Sequence, residues 1–391
     1  MAITLVPGLF RGAVRDLRVR PRGNVPTLDV LRSIAILIVF SGHYAAEFQA
    51  AHWVQALPMF YWGWTGVDLF FVLSGFLIGS QLWKEVNRTD GIRIGRFLLR
   101  RGLRIWPLYY AFVLFVASQS LFGRPNGGIW SDFCFLSNYF HCQIGGGWSL
   151  STEEQFYILA PVSIALFSLF LKPRRLWILP VAGLGLLLMN RLIYIHHHSG
   201  LGINELRQKL YLPIATHADG LAVGLLLAWC GVFYPQLFKS ARLRLATCAA
   251  MIVVGLGLYA SYRVLFAFTT LGLIFGAAAL WGIGLKKTPK ILDWHGFYII
   301  SRLSYGMYLN HFGLLTRLSK LLLPLRLKGG EAAFWVLNVV CVLASLAVAF
   351  VTFQLIEWPF LQLRARWLER KKQPAREPEP AGAAAARAAA D

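Results

Sequence analysis

The chain has 391 residues, of which 57% are apolar and only 15% charged, with a mean hydropathy of +0.55. That composition excludes a water-soluble enzyme, and 14% aromatic residues exclude a disordered chain. The net charge of +21 would suggest nucleic acid in a soluble protein. Among long apolar runs, excess Lys and Arg instead set orientation and meet anionic headgroups, so no nucleic-acid partner is expected.

A helix that spans the hydrocarbon needs about 20 mostly apolar residues. In chain order, candidate spans begin near Val30, Trp64, Ile105, Gln155, Leu176, Pro213, Leu245, Leu265, Phe297 and Phe334. The fold expected is therefore all-α and polytopic, with about ten transmembrane helices. A basic N-terminal segment, 1–27, carries Arg11, Arg15, Arg18, Arg20 and Arg22 and has no cleavage pattern of a signal peptide. Assigning the connections alternately puts most cations on one side, the run from Lys84 to Arg104 among them. Only scattered ones, Arg124, Arg207, Lys209, Arg263 and those from Arg317 to Lys328, fall on the other. By the positive-inside rule both termini are cytoplasmic, in a multi-pass protein of the plasma membrane. The Pro- and Ala-rich end, 373–391, reads as a solvated, disordered cytoplasmic tail, leaving 28–372 as the membrane domain.

Ionisable side chains inside a bilayer are costly, so each one within a span is a functional candidate. The first span, LDVLRSIAILIVFSGHYAAEF, holds Arg32 and His43 eleven residues apart. At about 100° per residue both project from one face, about 16 Å apart along the axis. Glu47, one turn after His43, is placed to sit beside the imidazole and hold its tautomer. In the second span Asp68 interrupts the apolar stripe. Ser74, Gly75 and Gly79 allow close approach, either of a packed helix or of a substrate chain in a tunnel. The third span opens on the densest cation cluster, with Arg93, Arg96, Arg100, Arg101 and Arg104 ahead of Pro107. Such a cluster anchors a helix to lipid or, through paired guanidiniums, binds a phosphate-bearing ligand.

The next connection ends GGGWSLSTEEQFY and brings Trp148, Ser149, Glu153 and Glu154 to the start of a helix. Ser151 and Glu154 have capping-box spacing, which leaves at most one of the adjacent glutamates for the cap and the other for the bundle interior. Later spans add His217 and Asp219, then Tyr305, Tyr308 and His311, and finally Glu357. The run His196, His197 and His198 lacks an acid or cysteine at ligand spacing, so no metal site is expected. Cys134 and Cys142 share one connection and can pair only where it faces an oxidising compartment.

Seven motifs in order over residues 28–360, LDVLRSIAILIVFSGH, GVDLFFVLSGF, RRGLRIWPLYY, WSLSTEEQFY, HADGLAVG, SYGMYLNHF and IEWPF, closely resemble the membrane acyltransferase 3 family. The resemblance implies an O-acyltransferase of the bacterial inner membrane with no bound cofactor. It would move an acyl group, most often acetyl, from cytosolic acyl-CoA to a hydroxyl of an exported glycan or glycolipid. It also implies that Arg32 and His43 match the family's first-span arginine and essential histidine. Arg101 and Arg104 then match its R-x-x-R pair at the acyl-CoA site, Glu153 and Glu154 its W-S-L-S-x-E-E motif, and Tyr308 and His311 its Y-L-x-H motif. The expected arrangement places CoA phosphates on Arg101, Arg104 and Arg100, with the pantetheine arm between the first three spans past Asp68, Ser74, Trp148 and Ser149. His43, oriented by Glu47 or Glu153, serves as base or as an acylated intermediate. A transporter or flippase with an ion path of intramembrane His, Asp and Arg is the rival, although no inverted repeat is visible.

Overall fold

The computed structural model describes residues 5–370 apart from 22, 90, 120–127 and 286. The expectations for Arg22, Arg124 and the segment 373–391 therefore lie outside the described residues.

Every regular element among the described residues is helical. In chain order the main ones are α1 (Leu5–Arg18), α2 (Pro26–Glu47), α3 (Gly66–Thr89), α4 (Ile94–Ser118), α5 (Gly147–Ser168) and α6 (Ile178–His197). They continue with α7 (Asp219–Phe233), α8 (Ala241–Ser261), α9 (Arg263–Ile283), α10 (His295–Thr352) and α11 (Trp358–Arg370). Six stretches, Pro26–Glu47, Gly63–Thr89, Pro173–His197, Ala241–Ser261, Arg263–Ile283 and His295–Trp367, are long and apolar enough to cross a membrane. The protein is thus a multi-pass, all-helical membrane protein. Fewer stretches meet the criterion than the ten expected starts. The arginine-bearing α4, the glutamate-bearing α5 and the 15-residue α7 fall outside it, and the expected starts near Phe297 and Phe334 lie on either side of the kink at Gly330, within the one stretch His295–Trp367.

α10 comprises two helices that meet at a kink at Gly330, whose φ of +61° is open to glycine at no steric cost. Between α10 and α11 the backbone widens into a π turn, Phe353–Glu357, a form that often marks functional positions. α3 and α7 pack backbone to backbone. A Cβ on Gly75 would lie 2.2 Å from the Leu221 carbonyl oxygen, and one on Gly224 2.2 Å from that of Val72. Gly75 and Gly79 therefore belong to a helix-packing face, while the neighbouring Ser74 turns the other way.

A buried Asp–His hydrogen bond and a buried ion pair tie this half of the bundle together. The Asp68 carboxylate meets His217 Nε2 at 2.8 Å, and Asp219 receives Arg191 Nη2 at 2.7 Å and the Thr269 hydroxyl at 2.6 Å. An unpaired charge at the Arg191–Asp219 pair would cost several kcal/mol, roughly 3–5, and Asp68 is likewise satisfied by its hydrogen bond to His217. α1 packs on the π turn and α10, with the Asp16 carboxylate paired to Arg302 and the Asp16 carbonyl accepting from the Tyr298 hydroxyl.

Candidate active site

A cavity of about 390 Å³ opens between the arginine-bearing ends of α2, α3, α4, α5 and α10. Helix polarity places it. α2 and α4 begin at that end, α5 contributes its first turns through Ser149, Glu153, Glu154 and Tyr157, and α2 carries His43 and Glu47 to the opposite end. Arg32, Arg101, Arg104 and Arg302 all line the cavity. Arg302 is paired with Asp16, and Arg101 lies over the Tyr157 ring at 5.7 Å. Among the described residues, Arg32, Arg101 and Arg104 form no hydrogen bond or ion pair, which leaves their planar N–H arrays to an anionic ligand. Arg100, expected with them, points elsewhere and approaches Glu85 at 3.9 Å.

The acids of the cavity are held in fixed positions. Glu153 accepts from the Ser74 hydroxyl at 2.7 Å and from the Tyr157 hydroxyl at 2.8 Å. Glu154 accepts from the Trp106 indole at 3.0 Å, and the π turn supplies Glu357. Both adjacent glutamates thus line the cavity, and neither serves a helix cap. The reason is that α5 already begins at Gly147, a turn before Ser151, and Ser151 accepts instead from the Ser137 amide. The chain enters α5 through Gly146 at φ +80°, where a Cβ would also crowd the Tyr308 hydroxyl at 3.1 Å. Asp132 shapes the preceding connection by accepting from the Ser137 hydroxyl at 2.7 Å and the Gln143 amide at 2.8 Å. Burial pushes its carboxyl above the usual carboxylate range, and those two hydrogen bonds oppose the shift.

The inner end of the cavity is closed by Ser149 and Tyr308, whose hydroxyls are hydrogen-bonded to each other. Beyond them stands His311. Its Nδ1 lies 2.6 Å from the Tyr308 carbonyl oxygen, and only an N–H can satisfy a carbonyl, so the neutral ring leaves Nε2 without a proton. That Nε2 is buried with no hydrogen-bond partner. The ring is 5.4 Å from the Tyr308 ring and 5.1 Å from that of His43. Side chains therefore run in contact from the cavity to His43 through Ser149, Tyr308 and His311.

His43 is not a wall of the cavity. It is exposed, packs edge-on to Phe312 at 5.5 Å, and stands beyond the Tyr308 layer. Glu47 turns from it to α10, where the Thr316 and Ser319 hydroxyls donate to its two oxygens at 3.0 and 3.1 Å. Among the described residues no hydrogen bond joins His43 to Glu47, and the imidazole in ring contact with His43 is His311. Asp68 and Trp148, expected along a tunnel, are also placed elsewhere. Asp68 is consumed by His217, and Trp148 stacks on the same imidazole at 5.7 Å.

Residues 25–354 match the family described as Acyltransferase domain. The chain belongs to the acyltransferase 3 family. It is 27% identical over 374 residues to the peptidoglycan O-acetyltransferase OatA of Listeria monocytogenes, covering 86% of this chain and 56% of that protein. It is 25% identical over 373 residues to the O-acetyltransferase OatA of Staphylococcus aureus, covering 86% of this chain and 57% of that protein. The chain thus spans just over half the length of these curated relatives. No solved structure matches it.

For a member of this family, the cavity includes Arg302, which motif reading left out, and Tyr157, which ends the motif WSLSTEEQFY but was given no role. Arg302 could have been found, because it stands inside the apolar span that begins near Phe297, where an arginine is costly. Tyr157 gave no signal, since a tyrosine near a helix start reads as an interfacial residue. Cys134 and Cys142 carry free thiols.

Proposed function

We propose that this protein is a membrane O-acetyltransferase that takes acetyl groups from acetyl-CoA at its arginine-rich, cytoplasmic end and passes them to a hydroxyl of an extracytoplasmic glycan or glycolipid. About ten spans with both termini in the cytoplasm of a bacterial inner membrane fit that task. One observation carries the reading: three guanidiniums without ion pairs share a cavity that ends on the Ser149–Tyr308 hydroxyls, with His43 two rings further on. Phosphates of the donor would lie on Arg101 and Arg104, and Arg32 would accompany the pantetheine arm inward.

The Ser149–Tyr308 contact must open for the thioester to reach His43. The acceptor oxygen then attacks the thioester carbonyl while His43 takes the hydroxyl proton. The C–S bond breaks, an ester C–O bond forms, and the proton passes to the CoA sulfur. His311, with its unprotonated Nε2, accepts an N–H from His43 and so presents the other His43 nitrogen as a base. The hydroxyls of Ser149 and Tyr308, released from each other, are donors for the carbonyl oxygen as charge develops on it.

The test uses the purified full-length chain in detergent. Arg101→Gln/Arg104→Gln should weaken acetyl-CoA binding at least about tenfold, as loss of charge-assisted hydrogen bonds predicts. His43→Ala should bind acetyl-CoA normally yet fail to transfer labelled acetyl to cell-envelope glycan. Wild-type binding by the double arginine variant, or wild-type transfer by His43→Ala, would overturn the reading.

A further inference from the structure

At the end of the bundle opposite the arginine cavity lies a second, smaller groove of about 200 Å³. It is formed by the last turns of α4, residues 143–145 and the middle of α10. It adjoins His43 and Glu47. Phe312, one of its walls, is the ring that His43 touches edge-on, and Thr316, another, donates to Glu47. Its chemistry is unlike that of a lipid-facing crevice. Phe115 and Phe312 are 48% and 38% exposed and offer apolar faces, while Gln119 and Gln143 bring side-chain amides. Arg317 and Lys320, three residues apart on one helix face, are both exposed, and no acid is among the described lining residues. The Arg317 guanidinium sits 5.8 Å over Phe115 and spends one N–H on the Gly313 carbonyl. On this side of the membrane the positive-inside rule gives no reason for cations.

We propose that this groove is the acceptor subsite and that the acceptor it takes is an anionic carbohydrate. In this arrangement Arg317 and Lys320 receive a carboxylate or phosphate carried by the glycan. The sugar ring lies on Phe312 and Phe115 with a hydroxyl on the Gln119 amide, which leaves another hydroxyl facing His43. The inference rests on the acetyl-transfer reading, but it concerns a different pocket and a different ligand. The same anion chemistry is offered by a phospholipid headgroup reached by snorkelling side chains, so the experiment separates the two sources.

Binding is measured by calorimetry on the full-length chain in phosphatidylcholine nanodiscs with two matched pairs of probes. One pair is the disaccharide of N-acetylglucosamine and N-acetylmuramic acid against its carboxamide. The other is N-acetylglucosamine 1-phosphate against N-acetylglucosamine. In at least one pair the charged probe should bind about tenfold more tightly than the neutral one, and Arg317→Gln/Lys320→Gln should erase that difference. The proposal is overturned by equal binding within both pairs, or by a preference that survives the double substitution. It is also overturned if the two cations respond only to phosphatidylglycerol added to the discs, a lipid phosphate and nothing more. Acetyl-CoA affinity of the same preparations, and its loss in Arg101→Gln/Arg104→Gln, reports the donor reading separately.

Discussion

At the scale of single residues, His311 is the most informative side chain of the site. Its Nδ1 is committed to the Tyr308 carbonyl, so the tautomer is fixed by the backbone of the same helix, its Nε2 is buried without a hydrogen-bond partner, and among the described residues its ring neighbours are His43 and Tyr308. A residue that acts by orienting a base should alter turnover rather than donor binding. His311→Asn is therefore expected to lower kcat for acetyl transfer by about 10²-fold, within the range of general-base effects, while KM for acetyl-CoA stays within about twofold. The pH profile of kcat should also shift, because His43 loses the partner that selects its tautomer; an unchanged profile with a raised KM would mean that His311 only shapes the cavity. Glu47→Gln offers the contrast. Its oxygens already accept from Thr316 and Ser319, and an amide keeps one acceptor, so transfer should fall far less than in His311→Asn.

At the scale of the elements, the close contact of α3 and α7 positions Ser74 and through it Glu153. The two backbones meet where Gly75 faces Leu221 and Gly224 faces Val72, and a side chain there must push the helices apart. Gly75→Val should cost about 1–3 kcal/mol by overpacking, seen as a fall in Tm, and should weaken acetyl-CoA binding as Ser74 withdraws from Glu153. Gly183→Ala on α6, where an added Cβ meets nothing within 4 Å, should leave Tm unchanged or slightly raised. How far these elements were legible depended on period and cost. Apolar runs gave the long helices, and the expense of charge in lipid marked Arg101, Arg104 and Glu153, which the structure brings into one cavity. Spacing along one helix could not say that Glu47 would find hydroxyls on α10, or that Asp68 would be taken by His217 from a segment 149 residues away. Those choices are made by neighbours in space, and a helical wheel carries no information about them.

At the scale of the whole molecule, the two recesses lie at opposite ends of the bundle, and the proposed reaction needs those ends to face different compartments. The connection between α4 and α5 is at the His43 end and carries Cys134, exposed and unpaired. The connection between α5 and α6 is at the arginine end and carries the exposed Lys172. A membrane-impermeant maleimide added to intact spheroplasts should label Cys134 without prior reduction. A Lys172→Cys variant made in a Cys134→Ser background should be labelled only after the membrane is opened. Inverted vesicles should reverse the pattern. Labelling of residue 172 from outside would place the guanidinium cavity in the extracytoplasmic space, where acetyl-CoA does not occur, and the direction of transfer proposed here would fail with it. Labelling of Cys134 only after reductant would instead mean that it pairs with Cys142 in the cell, leaving the orientation to be read from residue 172.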